Sequence, residues 1–254
     1  MPRVIRGVAG VLGFLLLWEG FSRSGVVREE FVPPASTVLA RLAVLGTDGA
    51  FVADVVATAL AWAVALGLTV LLAVPAGVVL GSVPRVRAAT RTLVELLRPI
   101  PSVALIPLVI IVLGTGPETK ISLAVYAGVW PLLFTTIYAM GEVEPLHLDT
   151  ARVFGLSRRR ILATVSLPHA APFVLTGVRL SAAVSLVVIV STELLAGGSG
   201  GIGTFVFEAG SGGGGMDLVL AGTVVAGLLG CAVNTALEQV QRRWLGWDDV
   251  EDAR

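Results

Sequence analysis

A polar segment, Asp149-Thr150-Ala151-Arg152-Val153-Phe154-Gly155, runs on to Leu167-Pro168 and separates two very apolar stretches of the chain. Glycine adopts backbone angles that are closed to other residues, so Gly155 permits a sharp turn. Ser157 is placed to cap a second helix, residues 158–166, and Leu167-Pro168 is placed to end it. The segment therefore predicts a helix, a glycine turn and a second, basic helix over residues 145–168.

The first of these helices has a rough apolar face, formed by Leu148, Ala151, Val153 and Phe154. The small residues Thr150 and Ala151 would let a partner surface approach closely. The three arginines at 158–160 would equally suit a helix that lies on anionic lipid. The pattern alone gives a docking surface and a lipid-surface helix equal weight.

The composition places the rest of the chain in a membrane. Of 254 residues, 55% are hydrophobic and 14% are charged, whereas soluble domains carry about 25% charged residues. Nearly uncharged apolar runs recur at about the 20-residue length that crosses a bilayer. We predict an all-α integral membrane protein with one transmembrane domain, residues 1–254, and about six spans. The predicted spans cover residues 4–21, 55–83, 99–116, 121–141, 173–195 and 218–237.

The first predicted span also has the basic start and apolar core of a secretory signal peptide. No clear small-x-small cleavage site follows Trp18-Glu19-Gly20-Phe21. We therefore expect an uncleaved first span rather than a removed leader.

The basic residues orient the chain. With both termini in the cytoplasm, fourteen of the 18 lysines and arginines lie at the inner face, which is the topology that the positive-inside rule favours. The four exceptions are Arg23, Arg28, Arg41 and Lys120. The 145–168 segment then lies in the cytoplasm, between the fourth and fifth spans.

Several classes of function are disfavoured. A net charge of zero gives no bulk attraction to nucleic acid, and His147 and His169 belong to no metal-ligand motif. Gly114-Thr115-Gly116-Pro117 lacks the Gly-x4-Gly-Lys-Ser/Thr spacing of a nucleotide-binding loop. The sequence also lacks the common nucleophile and metalloprotease motifs. We expect no catalysis and no bound cofactor or metal in this chain.

Four residues are candidates for a translocation path: Pro101, Ser102, Pro107 and Glu193. The prolines remove helix hydrogen bonds, and irregular backbone at membrane depth is tolerated where it is buried in protein or faces water. A carboxylate within a span is costly and therefore a functional candidate. The alternative for Glu193 is an outer-interface carboxylate that merely ends a span. Trp130 is expected to be a packing or interface residue.

The glycine-rich segment 197–215 contains four consecutive glycines at 212–215. Glycine makes regular structure costly. We expect a flexible extracellular connection in preference to a mobile gate.

The spacing Asp149-Thr150-Ala151-x3-Gly155-x9-Val165-x-Leu167-Pro168 resembles the EAA loop of ABC-importer permeases, whose pattern is Glu-Ala-Ala-x3-Gly-x9-Ile-x-Leu-Pro. The spacing matches at every position, and the departures are Asp149, Thr150 and Val165. Further stretches look like the nitrate, sulfonate, taurine and bicarbonate subgroup. They are Pro33-Pro34-Ala35-Ser36, residues 98–108 and Leu175-Thr176-Gly177-Val178-Arg179. The likeness covers roughly residues 30–240.

The resemblance implies a permease subunit of an ATP-driven importer for a small anionic solute such as an alkanesulfonate, taurine, nitrate or bicarbonate. A separate cytoplasmic subunit would bind ATP and Mg and hydrolyse the ATP. A solute-binding protein would deliver the solute outside, and a second permease copy would complete a homodimer in a prokaryotic plasma membrane. The residues implied in docking the ATP-binding subunit are Asp149, Thr150, Ala151, Arg152, Gly155, Ser157 and Arg158, and Leu167 and Pro168 would end the loop.

Two other classes stay open beside this one, a stand-alone secondary carrier and a membrane enzyme with a lipid-surface helix. A membrane enzyme would be expected to show His, Asp or Glu clustered at one membrane face. A carrier would be expected to show internal repeats or ionisable groups at mid-membrane. Neither pattern is evident in the sequence.

Overall fold

The computed structural model describes residues 2–198 and 200–245, and these contain α-helices and no β-strand. The helices are α1 (Pro2–Arg23), α2 (Ala35–Leu45), α3 (Gly49–Ser82), α4 (Pro84–Leu97), α5 (Ile106–Leu113), α6 (Pro117–Gly141), α7 (Pro145–Val153), α8 (Arg158–Ile161), α9 (Leu167–Ala196), α10 (Ile202–Ser211) and α11 (Met216–Leu245). The all-α class predicted from the sequence is confirmed.

Five helical segments in the described residues are long and apolar enough to cross a membrane. They are Ile5–Arg23, Gly49–Ser82, Pro117–Gly141, Arg158–Ala196 and Met216–Arg243. A sixth crossing results if α4 and the following Ser102–Leu113 count as one span, since these two are bent by 73° at a short break. The count of about six spans therefore includes one bent span.

The bend changes the span that the sequence placed at residues 99–116. Proline donates no N–H, so Pro99 and Pro101 cannot donate the hydrogen bonds that would continue α4. Pro101 is extended, with φ −67° and ψ 119°, and a short 3-10 turn, Ser102–Leu105, leads into α5. Pro107 does not interrupt a helix, because it lies in the first turn of α5, where a missing N–H costs nothing.

The glycine-rich segment 197–215 is not a structureless connection. It contains α10, whose first residues, Ile202 to Thr204, are buried. Phe205 of α10 packs edge-on against Phe51 of α3, with ring centroids 4.6 Å apart. The prediction of a flexible connection was wrong for these residues, because distant parts of the chain stabilise the helix.

The described chain divides into two compact units. One comprises the residues up to Ala59 with Val190–Leu229, and the other comprises Leu60–Ile189 with the described residues from Gly230 onward. The first has a core around Val38, Leu45, Phe51 and Ala221. The second has two apolar clusters, one around Leu123 and Ile189 and one around Leu132 and Ile137.

Within the second unit, α3 and α6 cross at a pair of glycines spaced as Gly77-x-x-x-Gly81. A Cβ atom added to Gly77 would lie 2.5 Å from the Cβ of Thr136, and one added to Gly81 would lie 2.5 Å from the Cβ of Met140. Small residues let membrane helices approach closely and gain packing energy. The crossing holds the C-terminal ends of α3 and α6 together, and the 145–168 segment follows directly after α6.

Candidate functional site

The loop that joins α6 to α9 begins with α7, which ends at a left-handed glycine. Gly155 has φ +72°, its N–H donates to the Arg152 carbonyl at 2.9 Å, and the Leu156 N–H donates to the Ala151 carbonyl at 3.1 Å. These two bonds form a Schellman motif, which satisfies carbonyls that a helix end leaves free. Glycine is favoured here because residues with a Cβ atom are sterically disfavoured in the left-handed conformation.

The two sides of α7 differ in exposure. Ala151 is buried, and Leu148 and Leu156 are partly buried. By contrast, Val153 is 87% exposed and Phe154 is 78% exposed. The sequence placed Leu148, Ala151, Val153 and Phe154 on one rough face, but the helix divides them into two pairs. Leu148 and Ala151, three positions apart, share the inner side, and Val153 and Phe154 lie on the outer side.

An outward apolar face follows from this separation, and we call it the outer face. Leu146 and Thr150 are also exposed, and they lie four residues apart, with Val153 three residues further on. The outer face therefore consists of Leu146, Thr150, Val153 and Phe154. Its exposed apolar side chains need a partner or a lipid surface, since water contact leaves their hydrophobic area unburied.

The polar docking candidates have partners within the loop. Arg152 Nη1 lies 2.7 Å from Asp149 Oδ1, and both side chains are 65% exposed. The Thr150 hydroxyl donates to the Leu146 carbonyl at 2.7 Å. Asp149 and Arg152 are thus held together on the surface beside the outer face, and Ala151 lets α7 pack closely on the inner side.

Ser157 and Arg158 begin the second half of the loop. Ser157 occupies the N-cap position of α8 with extended backbone, but its side chain makes no capping hydrogen bond. Arg158, Arg159 and Arg160 follow and are exposed. The basic cluster therefore faces outward from the chain.

The sequence predicted that the second helix of the loop ends at Leu167-Pro168, but in the structure it continues. A π-helical turn, Leu162–Ser166, joins α8 to α9 directly, so that Arg158–Ala196 forms one helical run. Pro168 is the second residue of α9, and the wider π-helical turn before it accommodates the missing N–H. The loop is therefore continuous with the span that follows it.

Two of the path candidates, Pro101 and Ser102, line a cavity of about 690 Å³ in the second unit. Arg98 lines the same cavity, and its guanidinium carbon lies 4.5 Å from the centroid of the Phe134 ring. Trp130 lines it too, and its Nε1 is buried without a hydrogen-bond partner in the described structure. Pro107 does not line this cavity. Reasoning from the sequence missed Arg98 and Trp130, because nothing local relates them.

Glu193 is fully buried in the first unit and lies in the last turn of α9. Its carboxylate accepts hydrogen bonds from the Thr58 hydroxyl at 2.9 Å and from the Gly203 N–H at 3.1 Å. The Thr58 oxygen in turn accepts the Ile202 N–H at 3.0 Å, and Asp54 accepts the Gly201 N–H at 2.8 Å.

The result is that side chains from α3 and α9 satisfy the leading N–H groups of α10. These groups have no partner within their own helix, and negative charge is favourable beside them. Gly201 has φ +130°, and a Cβ there would collide with the Glu193 carboxylate. Glu193 therefore holds α10 in place, a role that its position in the sequence did not indicate.

The sequence and the fold of this chain are similar to those of known proteins. Residues 70–245 match a family described as "Binding-protein-dependent transport system inner membrane component". The chain is 31% identical over 244 residues to the taurine transport system permease protein TauC of Escherichia coli (strain K12), covering 94% of this chain and 88% of TauC. It is 26% identical over 250 residues to the bicarbonate transport system permease protein CmpB of Synechococcus elongatus, covering 95% and 89%.

Among solved structures, the fold is similar to a chain of the MetNI methionine ABC transporter, with a TM-score of 0.64 and 19% identity. The similarity covers 76% of this chain and 94% of that one. The family match includes the 145–168 loop, the cavity at Arg98 and the residue Glu193.

Proposed function

Because this chain belongs to the family of binding-protein-dependent transport system inner membrane components, we propose that it is the permease subunit of an ATP-driven importer for a small anionic solute. The observation that carries the proposal is the outer face of the 145–168 loop, an exposed apolar surface on a polar loop of a membrane protein. A permease that does not hydrolyse nucleotide itself needs a surface on which an ATP-binding partner docks and through which this partner moves it.

The partner is a cytoplasmic ATP-binding subunit, which binds the ATP and Mg. Phe154 and Val153 enter a groove on this subunit in the helix-in-groove manner, with apolar anchors on one side of a short helix. Asp149 and Arg152 form the polar border, and Arg158 follows on the other side of Gly155. Thr150 contributes a small contact, while Ala151 and Ser157 position the loop.

The continuity of the helical run Arg158–Ala196 gives the loop a mechanical role. Because no loop separates the basic end of the 145–168 segment from α9, displacement of the loop by the ATP-binding subunit is carried into the α9 span. ATP binding and hydrolysis then bias two conformations of the permease, and a loaded solute-binding protein biases them from the other side.

The solute class rests on the relatives. TauC is a taurine permease and CmpB a bicarbonate permease by their descriptions, and both solutes carry an anionic group. We propose a solute of this class, delivered by an extracytoplasmic solute-binding protein to a homodimer of this chain.

The orientation puts the loop and both termini in the cytoplasm of a prokaryotic cell, with the chain spanning the plasma membrane several times. The charge distribution supports it, although the last residues, 246–254, lie outside the described structure. The exposed arginines Arg159 and Arg160, which follow the docking residues, contact lipid head groups at the inner surface.

Reconstitution tests the function directly. The chain is incorporated into proteoliposomes with its ATP-binding subunit and solute-binding protein, and uptake of labelled taurine, ethanesulfonate, nitrate and bicarbonate is measured. We expect one of these anions to accumulate with ATP and not with a non-hydrolysable analogue. Uptake by the chain alone, driven by an ion gradient, would instead identify a secondary carrier.

A further inference from the structure

We propose that the cavity at the break between α4 and α5 is an anion-binding site of the permease itself, formed by Arg98, Ser102 and Trp130. The proposal rests on the proposed function, because the anion is the solute in transit. The cavity has a volume of about 690 Å³, which is within the range of about 300–1,000 Å³ typical of small-molecule sites. A small sulfonate or bicarbonate ion fits such a space together with water.

The lining of this cavity offers donors and no carboxylate. Arg98 is the one charged residue among the side chains that line it, and it forms no ion pair with any acid in the described structure. Its guanidinium instead lies over the Phe134 ring, 4.5 Å from the centroid. An arginine presents its donors in a planar fork that suits oxyanions, while its face stacks on an aromatic ring.

Trp130 supplies the second observation. Its Nε1–H is buried and has no acceptor in the described structure. Buried donors nearly always have an acceptor, so an unpaired one calls for a ligand or water. Indole nitrogen can only donate, so its partner must be a hydrogen-bond acceptor, and an oxyanion supplies one. Ser102 lines the same cavity, and its hydroxyl makes no hydrogen bond within the described residues.

The backbone gives the same indication. Arg98 to Pro101 forms no helix, and α4 and the following segment are bent by 73° there. Irregular backbone at membrane depth is tolerated where it lines a cavity, and discontinuous helices in transporters commonly provide the solute site. The break, the unpaired arginine and the unpaired indole all border one space.

The test uses the assembled transporter, with 5-fluorotryptophan in the permease and unlabelled partner subunits, in maltoside detergent without anionic lipid. The ¹⁹F signal of Trp130 is assigned with Trp130→Phe. The probes are ethanesulfonate, nitrate and bicarbonate, with neutral ethanesulfonamide as the control ligand. We expect a saturable shift of the Trp130 signal with at least one anion and none with ethanesulfonamide.

Variants separate the role of charge from folding. Because a hydrogen bond to a charged group is lost, Arg98→Gln should weaken anion binding by about tenfold to a hundredfold. Arg98→Lys should retain most of it. The matched control is Arg91→Gln, since Arg91 lies on the neighbouring α4 but pairs with Glu95 at 2.7 Å, and it should bind like the unaltered chain.

The outcomes distinguish the two proposals. If no anion shifts the Trp130 signal, or ethanesulfonamide shifts it equally, the anion site is refuted while ATP-driven uptake can still hold. If phosphatidylglycerol alone produces the shift, the cavity is a lipid head-group site and the solute proposal fails. Anion binding without any ATP-driven uptake would overturn the proposed function and leave the site.

Discussion

The hydroxyl of Thr58 lies 2.9 Å from the carboxylate of Glu193, although the two residues are 135 positions apart in the chain. The hydroxyl donates to the carboxylate and accepts the Ile202 N–H, so that Thr58 links α9 to the start of α10. A buried carboxylate is costly unless it is hydrogen-bonded. This network stabilises the acid and fixes α10 at the same time.

Removal of the Thr58 hydroxyl should therefore release the start of α10. We expect Thr58→Val to lower the free energy of unfolding by about 1–3 kcal/mol, because a buried N–H and a buried carboxylate each lose a partner. Thermal unfolding in detergent measures the loss, and limited proteolysis of residues 197–215 shows where it occurs. Thr223→Val is the control, since the Thr223 hydroxyl is exposed and bonds only within its own helix. If Thr58→Val and Thr223→Val had equal melting temperatures, Thr58 would not anchor the start of α10.

Gly155 should be sensitive to backbone conformation rather than to space. No atom lies within 4 Å of a Cβ built at this glycine, but its φ is +72°. We expect Gly155→Val to cost about 1–2 kcal/mol, because a side chain disfavours the left-handed conformation, and Gly155→Asn to cost less. Circular dichroism melts of the two variants test this order. If Val were tolerated as well as Asn, the glycine would not act through its φ angle.

The outer face should matter for binding and not for folding. Phe154→Asp should weaken association with the ATP-binding subunit by about tenfold or more, since an apolar anchor is replaced by a charge. Its effect on the free energy of unfolding should stay within about 0.5 kcal/mol, as for surface substitutions in general. Co-purification and thermal melts measure the two quantities.

Leu156→Asp serves as the matched comparison for this prediction. Leu156 lies two residues away on the partly buried side of the loop, so its substitution should destabilise the chain itself. Destabilisation by Phe154→Asp of the same size would show that Phe154 supports the fold and is no docking anchor.

The crossing of α3 and α6 should be intolerant of added volume. Gly77→Val would insert a side chain where even a Cβ lies 2.5 Å from Thr136, and overpacking of this kind costs about 1–3 kcal/mol. Gly67→Val is the control on the same helix, because a Cβ at Gly67 meets nothing within 4 Å. The difference in melting temperature between the two variants is the measurement. No difference would mean that the helices can separate without cost.

The sequence was sufficient for features that depend on local patterns. Apolar runs of bilayer length predicted the all-α membrane fold, and the spacing around Gly155 predicted a helix, a glycine turn and a second helix. Hydrophobic periodicity in a nine-residue helix such as α7 covers only about two and a half turns, so it could not decide which apolar side chains face outward. The structure was needed to separate Ala151 from Phe154.

Features that depend on distant contacts could not be predicted. The helix α10 forms in a glycine-rich segment because Asp54, Thr58 and Glu193 supply its missing hydrogen bonds from elsewhere in the chain. Likewise, Arg98 lies at the bend between α4 and α5 while Trp130 lies in α6, and only folding brings them to one cavity. Local propensity contains no information on either arrangement.

The most direct test of the proposed docking is photocrosslinking from the outer face in intact membranes. Benzoylphenylalanine is placed at Val153, which is 87% exposed, and, as the control, at Leu148 on the inner side. We predict an adduct between position 153 and the ATP-binding subunit, and no such adduct from position 148. Crosslinks from position 153 to lipid alone, in membranes that contain the ATP-binding subunit, would contradict the docking role and leave the loop as a lipid-surface helix.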